Sequence, residues 1–420
     1  MPGGRAGIIG AVLIPRLLLI PALVALVVVV PSARANSPTR PDHDAFYTYS
    51  GARPLADVPP GTVVKKRSTR LAFGPMSTPI RAEQLLYRTT GQLGQPTVTV
   101  TTLLAPAQLP RAQTNIVGYL SFYDGLGAKC DPSYTLSGGN AGGAAEQEAE
   151  EEELLVSWYL SQGFVVTIPD FEGTNLDWMA GHESGYGALD AIRATESYLH
   201  TPTAQVGLSG YSGGAVAADW ASELAPSYAP ELDIVGVAEG GVPVNYFHLF
   251  AYADGTDVYS AAIPGMLLGL ARAYHLDLGR YLSPYGAKVV RQESGECLPD
   301  LFGRYPGLTV RKLLKPHYRD WPRVPALARI LREQTMGTAP GHPRAPLLMG
   351  VGNSDGRGDG VMDAADVQAL ADAYCRQGVP VQFEEYQGAS HESAGAFFEP
   401  KTGPFLQERF AGVPFSGNCP

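Results

Sequence analysis

Ser212 stands in Gly210-x-Ser212-x-Gly214, inside the stretch Val206-Gly207-Leu208-Ser209-Gly210-Tyr211-Ser212-Gly213-Gly214-Ala215. This is the pattern of a nucleophile elbow, where a strand turns sharply into a helix and holds a serine hydroxyl outward. The turn forces the serine into a strained backbone conformation, and neighbours without a Cβ let strand and helix pass close together. Such matches arise by chance in a chain with 49 glycines, so the flanks carry the reading. Thr203 to Leu208, bounded by Pro202, reads as a strand; Ala215 to Leu224, Ala-rich with a Trp, reads as a buried helix.

A serine hydroxyl is a weak nucleophile, so this chemistry needs a histidine base and a carboxylate to orient it. In chains with the elbow the acid follows the serine and the histidine follows the acid. Of the eight histidines, His275, His317, His342 and His391 follow the elbow without lying near it. The first three fall in a long segment read below as a cap. His391, in Gly388-Ala389-Ser390-His391-Glu392, comes just after the predicted strand Val381 to Tyr386, where the base belongs. The acid must lie in Gly352-Asn353-Ser354-Asp355-Gly356-Arg357-Gly358-Asp359-Gly360-Val361-Met362. Counted from the preceding strand it is Asp355; counted back from the helix predicted over Ala364 to Gln377 it is Asp359. The reading leans to Asp355 and leaves both open. Asp363 reads as the N-cap of that helix, and Gly378 closes its far end.

Other motifs carry less. Asp355-x-Arg357-x-Asp359-Gly360 echoes a calcium loop, but an arginine stands where the third position needs an oxygen ligand. Gly350-x-Gly352 lacks the third glycine of a dinucleotide fingerprint, and His182-Glu183 and His391-Glu392 lack the second histidine of a zinc protease motif. No metal and no cofactor are expected.

Stepping outward from the serine, Thr62 to Arg67, Ile80 to Thr90 and Pro96 to Leu104 read as strands. Asn115 to Phe122 and Gly163 to Asp170 read as central strands, as do Ile234 to Ala238 and Ala345 to Gly352. Ala144 to Leu160 and Ala188 to Leu199 read as helices. Glu146, Glu148 and Glu150 to Glu153 cluster in the first of these and are expected to form a solvated face near the positive helix end. Strands alternating with helices imply a mostly parallel sheet with right-handed crossovers. Residues 240–344 are aromatic-rich and look helical, with Ile263 to Tyr274 strongly apolar. An insertion of that size at the carboxyl end of a strand would cover the crevice where ligands bind. The expected organisation is a core over 36–239, a helical cap or lid over 240–344, and the rest of the core with a tail over 345–420.

Residues 1–35 read as a secretion signal: Arg5, the apolar stretch Leu17 to Val30, and Ala33-Arg34-Ala35 before Asn36. The rival is an uncleaved anchor; Pro15, Pro21, Pro31 and the small-x-small site favour cleavage. No later stretch is apolar for long enough to span a bilayer. The 420 residues carry a formal net charge of −10 and a pI near 5.3, which argues against nucleic acid or anionic membrane surfaces as partners. The four cysteines, Cys130, Cys297, Cys375 and Cys419, form no C-x-x-C. In an oxidising compartment they read as two disulfides, with three pairings open.

The chain resembles the secretory lipase family of fungi and actinobacteria, the lipase A type of α/β-hydrolase. The resemblance rests on Phe46-Tyr47, Pro60-Gly61-Thr62-Val63, Leu86-Tyr87-Arg88, Tyr123-Asp124, Cys130-Asp131-Pro132-Ser133-Tyr134, Leu189 to Ala194, the elbow, Pro226-Ser227-Tyr228-Ala229-Pro230, and Tyr374-Cys375 with His391. It runs through nearly the whole chain after the signal and is weakest in the cap. It implies an α/β-hydrolase fold with Ser212 as nucleophile and His391 as base. It also implies an oxyanion hole made by the backbone N–H groups of Asp124 and Gly213, which suits the charge of an ester's tetrahedral intermediate. The pairings it implies are Cys130 with Cys297 and Cys375 with Cys419. The acid loop departs from the family: it is longer and lacks a proline.

The expectation is a secreted serine hydrolase of carboxylic esters, most of all acylglycerols, whose partners are a lipid or ester substrate and transiently a lipid interface. A short-chain or polyester esterase is the rival of the same class. A non-catalytic binding protein on a hydrolase scaffold is the rival of another.

Overall fold

Apolar runs buried on both faces build the centre of the sheet. The computed structural model describes residues 37–73, 76–106 and 114–420, so the predicted signal over 1–35 lies outside the described residues. Every residue of β4 (Ile116–Leu120) and β5 (Val165–Pro169) is buried, as a parallel strand covered by helices on both sides requires. Around them lie β1 (Val63–Phe73), β2 (Met76–Thr90), β3 (Pro96–Ala105), β6 (Gln205–Tyr211), β7 (Asp233–Gly240), β8 (Leu347–Asn353) and β9 (Val381–Gln387). The nine strands form one sheet in the order β1-β2-β3-β5-β4-β6-β7-β8-β9. Pairing is antiparallel from β1 to β5 and parallel from β5 to β9. Parallel pairing brings the carboxyl ends of β4, β6, β8 and β9 to one edge, where the chain has placed Asp124, Ser212, Asp359 and His391.

The chain leaves β4 through a loop and the single turn α1 (Pro132–Thr135), then enters α2 (Ala144–Ser161). After β5 comes α3 (Gly181–Leu199), and after β6 comes α4 (Gly213–Tyr228). The segment between β7 and β8 holds the helices α5 (Tyr246–Ala253), α6 (Ala262–Ala273), α7 (Pro284–Glu293), α8 (Val310–Leu313) and α9 (Pro325–Glu333). α10 (Ala364–Arg376) and α11 (His391–Phe410) complete the chain. Residues of α3, α4 and α10 pack on one face of the sheet with the insertion, and those of α2 and α11 on the other. Among the described residues no helix is long and apolar enough to cross a membrane.

β1 and β2 run longer than expected, and three further features depart from the sequence expectation. α3 begins at Gly181 rather than Ala188, because Gly181, Gly185 and Gly187 hide its first turns from a propensity reading. The tail contains α11, a helix interrupted in pattern by Pro400 and Pro404 and therefore not expected from the sequence. The glutamate run on α2 is not a solvated face. Glu146, Glu152 and Glu153 are buried, and Glu148 and Glu150 are half-buried. Glu146 folds back to accept from the Gly142 N–H in the turn before the helix, while Glu152 turns inward to the end of β4. Free donors at that strand end draw the carboxylate in, which helical periodicity cannot show.

Cys130 is bonded to Cys297 and Cys375 to Cys419, the pairs that the resemblance implies. The second bond holds the last residues against β9, the sheet's edge. There Asn418 N–H donates to Val381 O at 2.8 Å and the Phe383 N–H donates to Asn418 Oδ1 at 2.9 Å. The tail thus covers donors that a bare edge would offer to another chain. This bond closes 44 residues. Replacing Cys375 and Cys419 together by Ser should lower the unfolding free energy by about 2–4 kcal/mol. A urea titration with an unchanged midpoint would show that the tail is held by its hydrogen bonds alone.

Candidate active site

At the end of β6 the backbone of Ser212 takes φ 53° and ψ −116°, a region that few residues other than glycine visit. The surroundings enforce it. A Cβ on Gly214 would collide with the Leu120 carbonyl of β4, and one on Gly213 with the carboxyl of Asp124. The Ser212 N–H donates to the Gly240 carbonyl at 2.8 Å, which fixes the elbow to the end of β7. Gly213 opens α4, so its N–H has no acceptor within the helix.

His391 is the first residue of α11, with Ser390 as the N-cap accepting from Ser393 N–H. Its Nε2 lies 2.8 Å from Ser212 Oγ and its Nδ1 lies 2.7 Å from Asp359 Oδ2. The His391 backbone N–H also donates to the Asp359 carbonyl at 2.9 Å. Tyr211, the residue before the serine, donates its hydroxyl to the His391 carbonyl at 2.6 Å. The position between glycine and serine in the elbow was the only sequence hint of that contact. Burial pulls the imidazole toward neutrality, but the charge of Asp359 and the hydrogen bond to it prevail and raise its pKa.

The structure brings Asp359, not Asp355, to His391. Asp359 is buried, and its Oδ1 accepts from the N–H groups of Val361 at 2.9 Å and Met362 at 2.6 Å. Asp355 is exposed; it accepts from the Tyr252 hydroxyl at 2.7 Å and from the N–H groups of Arg357 and Gly358. The cause is a turn that closes on itself, with Ser354 N–H donating to Gly358 O at 2.6 Å. The chain leaves the strand end, makes this turn and returns, so counting forward from β8 stops one turn too early.

Asp124 stands after β4, opposite the elbow. Its carbonyl accepts from Leu298 N–H of the insertion at 2.9 Å, and its side chain is buried against Gly213. Burial pushes its carboxyl pKa up. The disulfide from Cys130 to Cys297 ties this loop to the insertion. Nothing in the sequence beyond the resemblance marked Asp124.

Two cavities meet at Ser212 and His391. One, of about 520 Å³ with its mouth, also touches Asp124 and Gly213 and is walled by Trp178, Met179, Leu249, Met266 and Met362. The other, of about 860 Å³ with its mouth, lies on the α11 side and is walled by Phe122, Tyr211, Glu148, Glu392 and Glu399. Leu298 and Phe302, both from the insertion, border both cavities. Among the described residues, the atoms placed closely enough to share a metal ion belong to His248, Asp363 and Asp366. Within this group His248 pairs with Asp366 at 2.8 Å, and Asp363 pairs with Arg357 outside it at 3.0 Å.

A hydroxyl, an imidazole and a carboxylate in this sequence of contacts can pass a proton from serine to histidine while the serine attacks a carbonyl. The profile of the secretory lipase family matches residues 144–418. The chain is 32% identical to a probable inactive lipase of Mycobacterium tuberculosis, over 91% of this chain and 85% of that protein. It is 29% identical to a secreted triacylglycerol lipase of Malassezia restricta, over 91% of this chain and 82% of that protein. The crystal structure of Candida antarctica lipase A superposes with a TM-score of 0.82 at 27% identity, covering 91% of this chain and 89% of that one.

Reaction with a serine-directed fluorophosphonate separates the two aspartates. Asp359→Asn should slow labelling of Ser212 on the order of 10³–10⁴-fold, whereas Asp355→Asn should stay within about threefold of the parent. Only a neutral imidazole can accept the serine proton, so labelling should fall as pH drops through a midpoint above the ordinary histidine value of about 6.5. In Asp359→Asn the midpoint should move down. Equal rates for the two variants would remove Asp359 from its assigned role.

Proposed function

We propose that this chain, which belongs to the secretory lipase family and has the α/β-hydrolase fold, is a secreted serine hydrolase of carboxylic esters, most of all acylglycerols. One observation carries the reading: His391 bridges Ser212 and the buried Asp359 with both ring nitrogens. Ser212 Oγ attacks the ester carbonyl while His391 Nε2 takes its proton, and Asp359 holds the imidazole and stabilises its charged form. The backbone N–H groups of Asp124 and Gly213 take up the oxyanion; such preorganised donors often supply the largest single share of the rate. His391 returns the proton to the departing alcohol, and water then releases the acyl chain by the same route.

The leaving oxygen must lie within reach of His391, and α11, which begins at that residue, walls the larger cavity. Glu148, Glu392 and Glu399 in that wall suit the more polar alcohol part, and the apolar cavity beside Asp124 suits the acyl chain. The helices between β7 and β8 act as a cap, since Leu249, Met266, Leu298 and Phe302 supply apolar wall to the acyl side. Apolar lining with a few convergent polar groups is what a site for a mostly apolar ligand requires. Secretion is supported by the family and by the two disulfides, which persist in oxidising compartments.

The relative named as inactive makes the loss of function a concrete alternative, and the contiguous Ser212, His391 and Asp359 contacts argue against it here. A series of p-nitrophenyl esters from acetyl to palmitoyl, with the protein and its Ser212→Ala variant, decides the matter. Hydrolysis favouring long chains and abolished in Ser212→Ala is the expected result. A preference for acetyl or butyryl moves the assignment to an esterase of short acyl groups. Equal activity in Ser212→Ala would overturn the mechanism, and no hydrolysis by either protein would leave a silent scaffold.

A further inference from the structure

The loop that carries Asp124 begins where β4 ends, and its first amides lie at a strand end with no further ladder to join. α2 supplies the missing acceptor. Glu152 is buried there, and all its hydrogen bonds go to this segment. Its Oε1 accepts from the Phe122 N–H at 2.9 Å and from the Tyr119 hydroxyl at 3.2 Å. Its Oε2 accepts from the Ser121 hydroxyl at 2.7 Å. Further along, Tyr123 accepts the Glu172 N–H at 2.8 Å, and the Gly125 N–H donates to Glu172 at 3.2 Å. The amide of Phe122, two residues before Asp124, and that of Gly125, just after it, are thus held by carboxylates from α2 and from the loop after β5. Glu152 holds the near side.

We propose that Glu152 is a positioning residue for ester hydrolysis, aiming the Asp124 N–H at the oxyanion by holding Ser121 and Phe122. This rests on the assignment of that N–H as an oxyanion donor. Three donors converge on the carboxyl group, so the ionised form satisfies every one of them. A protonated carboxyl would bring a fourth proton into the cluster and force the Ser121 hydroxyl to turn away. The oxyanion hole is then best aimed when Glu152 is charged.

The groups facing Glu152 are Tyr119 from β4, Glu148 and Glu153 from α2, and Glu399 from α11. Burial raises its pKa to about 8, against the pull of the Ser121, Phe122 and Tyr119 hydrogen bonds; the charge of Glu399 adds to the rise. The well-aimed form is therefore gained as pH climbs through about 8 and lost below it. This limb is additional to that of His391.

The test is the pH profile of kcat and KM for a soluble p-nitrophenyl ester. In the parent, kcat should rise through a midpoint near 8. Glu152→Gln cannot ionise, so that limb should vanish; kcat at alkaline pH should fall about tenfold, a fraction of what losing an oxyanion donor does. KM should change less than twofold, and the His391 limb should remain. Ser121→Ala removes one donor that favours the charged form, so its midpoint should lie above that of the parent; this variant serves even if Glu152→Gln folds poorly. Glu150→Gln, on the same helix, should behave as the parent. An alkaline limb unchanged in Glu152→Gln, or a defect confined to KM, overturns the inference while leaving the serine hydrolase standing. Activity surviving in Ser212→Ala overturns both.

Discussion

His391 binds Asp359 twice, through its ring and through its own backbone N–H, and the rest of the site depends on that double tie. The two residues come from loops after neighbouring parallel strands, β8 and β9. Their joint fixes the separation and tilt of those loops before any ligand arrives. Two backbone amides hold the other oxygen of Asp359, so the carboxylate cannot swing away. Tyr211 adds a third strand by bonding the His391 carbonyl from the residue next to the serine. A histidine anchored at three points, one on its ring and two on its backbone, keeps its other ring nitrogen free to face Ser212. Orientation is settled by the scaffold rather than by the substrate.

The opposite side of the serine is organised by a different device. There the loop after β4 lies beyond the sheet, and buried carboxylates, a disulfide and a short antiparallel bridge to Cys297 hold it in place. Glu152 and Glu172 hold the amides around Asp124, and the bond between Cys130 and Cys297 draws in the insertion. The insertion also pins the acid loop, because Tyr252 donates to Asp355 and accepts from the Gly360 N–H at 3.1 Å. One helical segment therefore touches both sides of the serine. A shift of that segment would be felt by Asp124 and by Asp359 together.

Much of the framework could be read from the sequence. Strands buried on both faces leave short apolar runs between Gly and Pro, and these mark β4 to β8 to within a few residues. The elbow was visible because its glycines answer to a steric demand. His391 could be singled out because it follows the last predicted strand. Asp359 could not be told from Asp355, since the turn from Ser354 to Gly358 is held by Asx-type contacts of Asp355 that carry no periodicity. Helical periodicity also misjudged Glu152, whose burial depends on donors 30 residues away in the chain. Two prolines concealed α11, although the helix starts at the residue that matters most.

The backbone of Ser212, at φ 53°, is a local conformation that the surrounding strands impose on an unwilling residue. Strain of this kind is worth on the order of 1–3 kcal/mol, and it persists because the surrounding structure over-determines the turn. Glycine at that position would relax the turn. A lineage released from the need to hydrolyse esters is then drawn toward loss of its nucleophile by stability alone, with the fold left intact. Silent members are an expected by-product of such an elbow, and a fold of this kind would keep its shape long after its chemistry had gone.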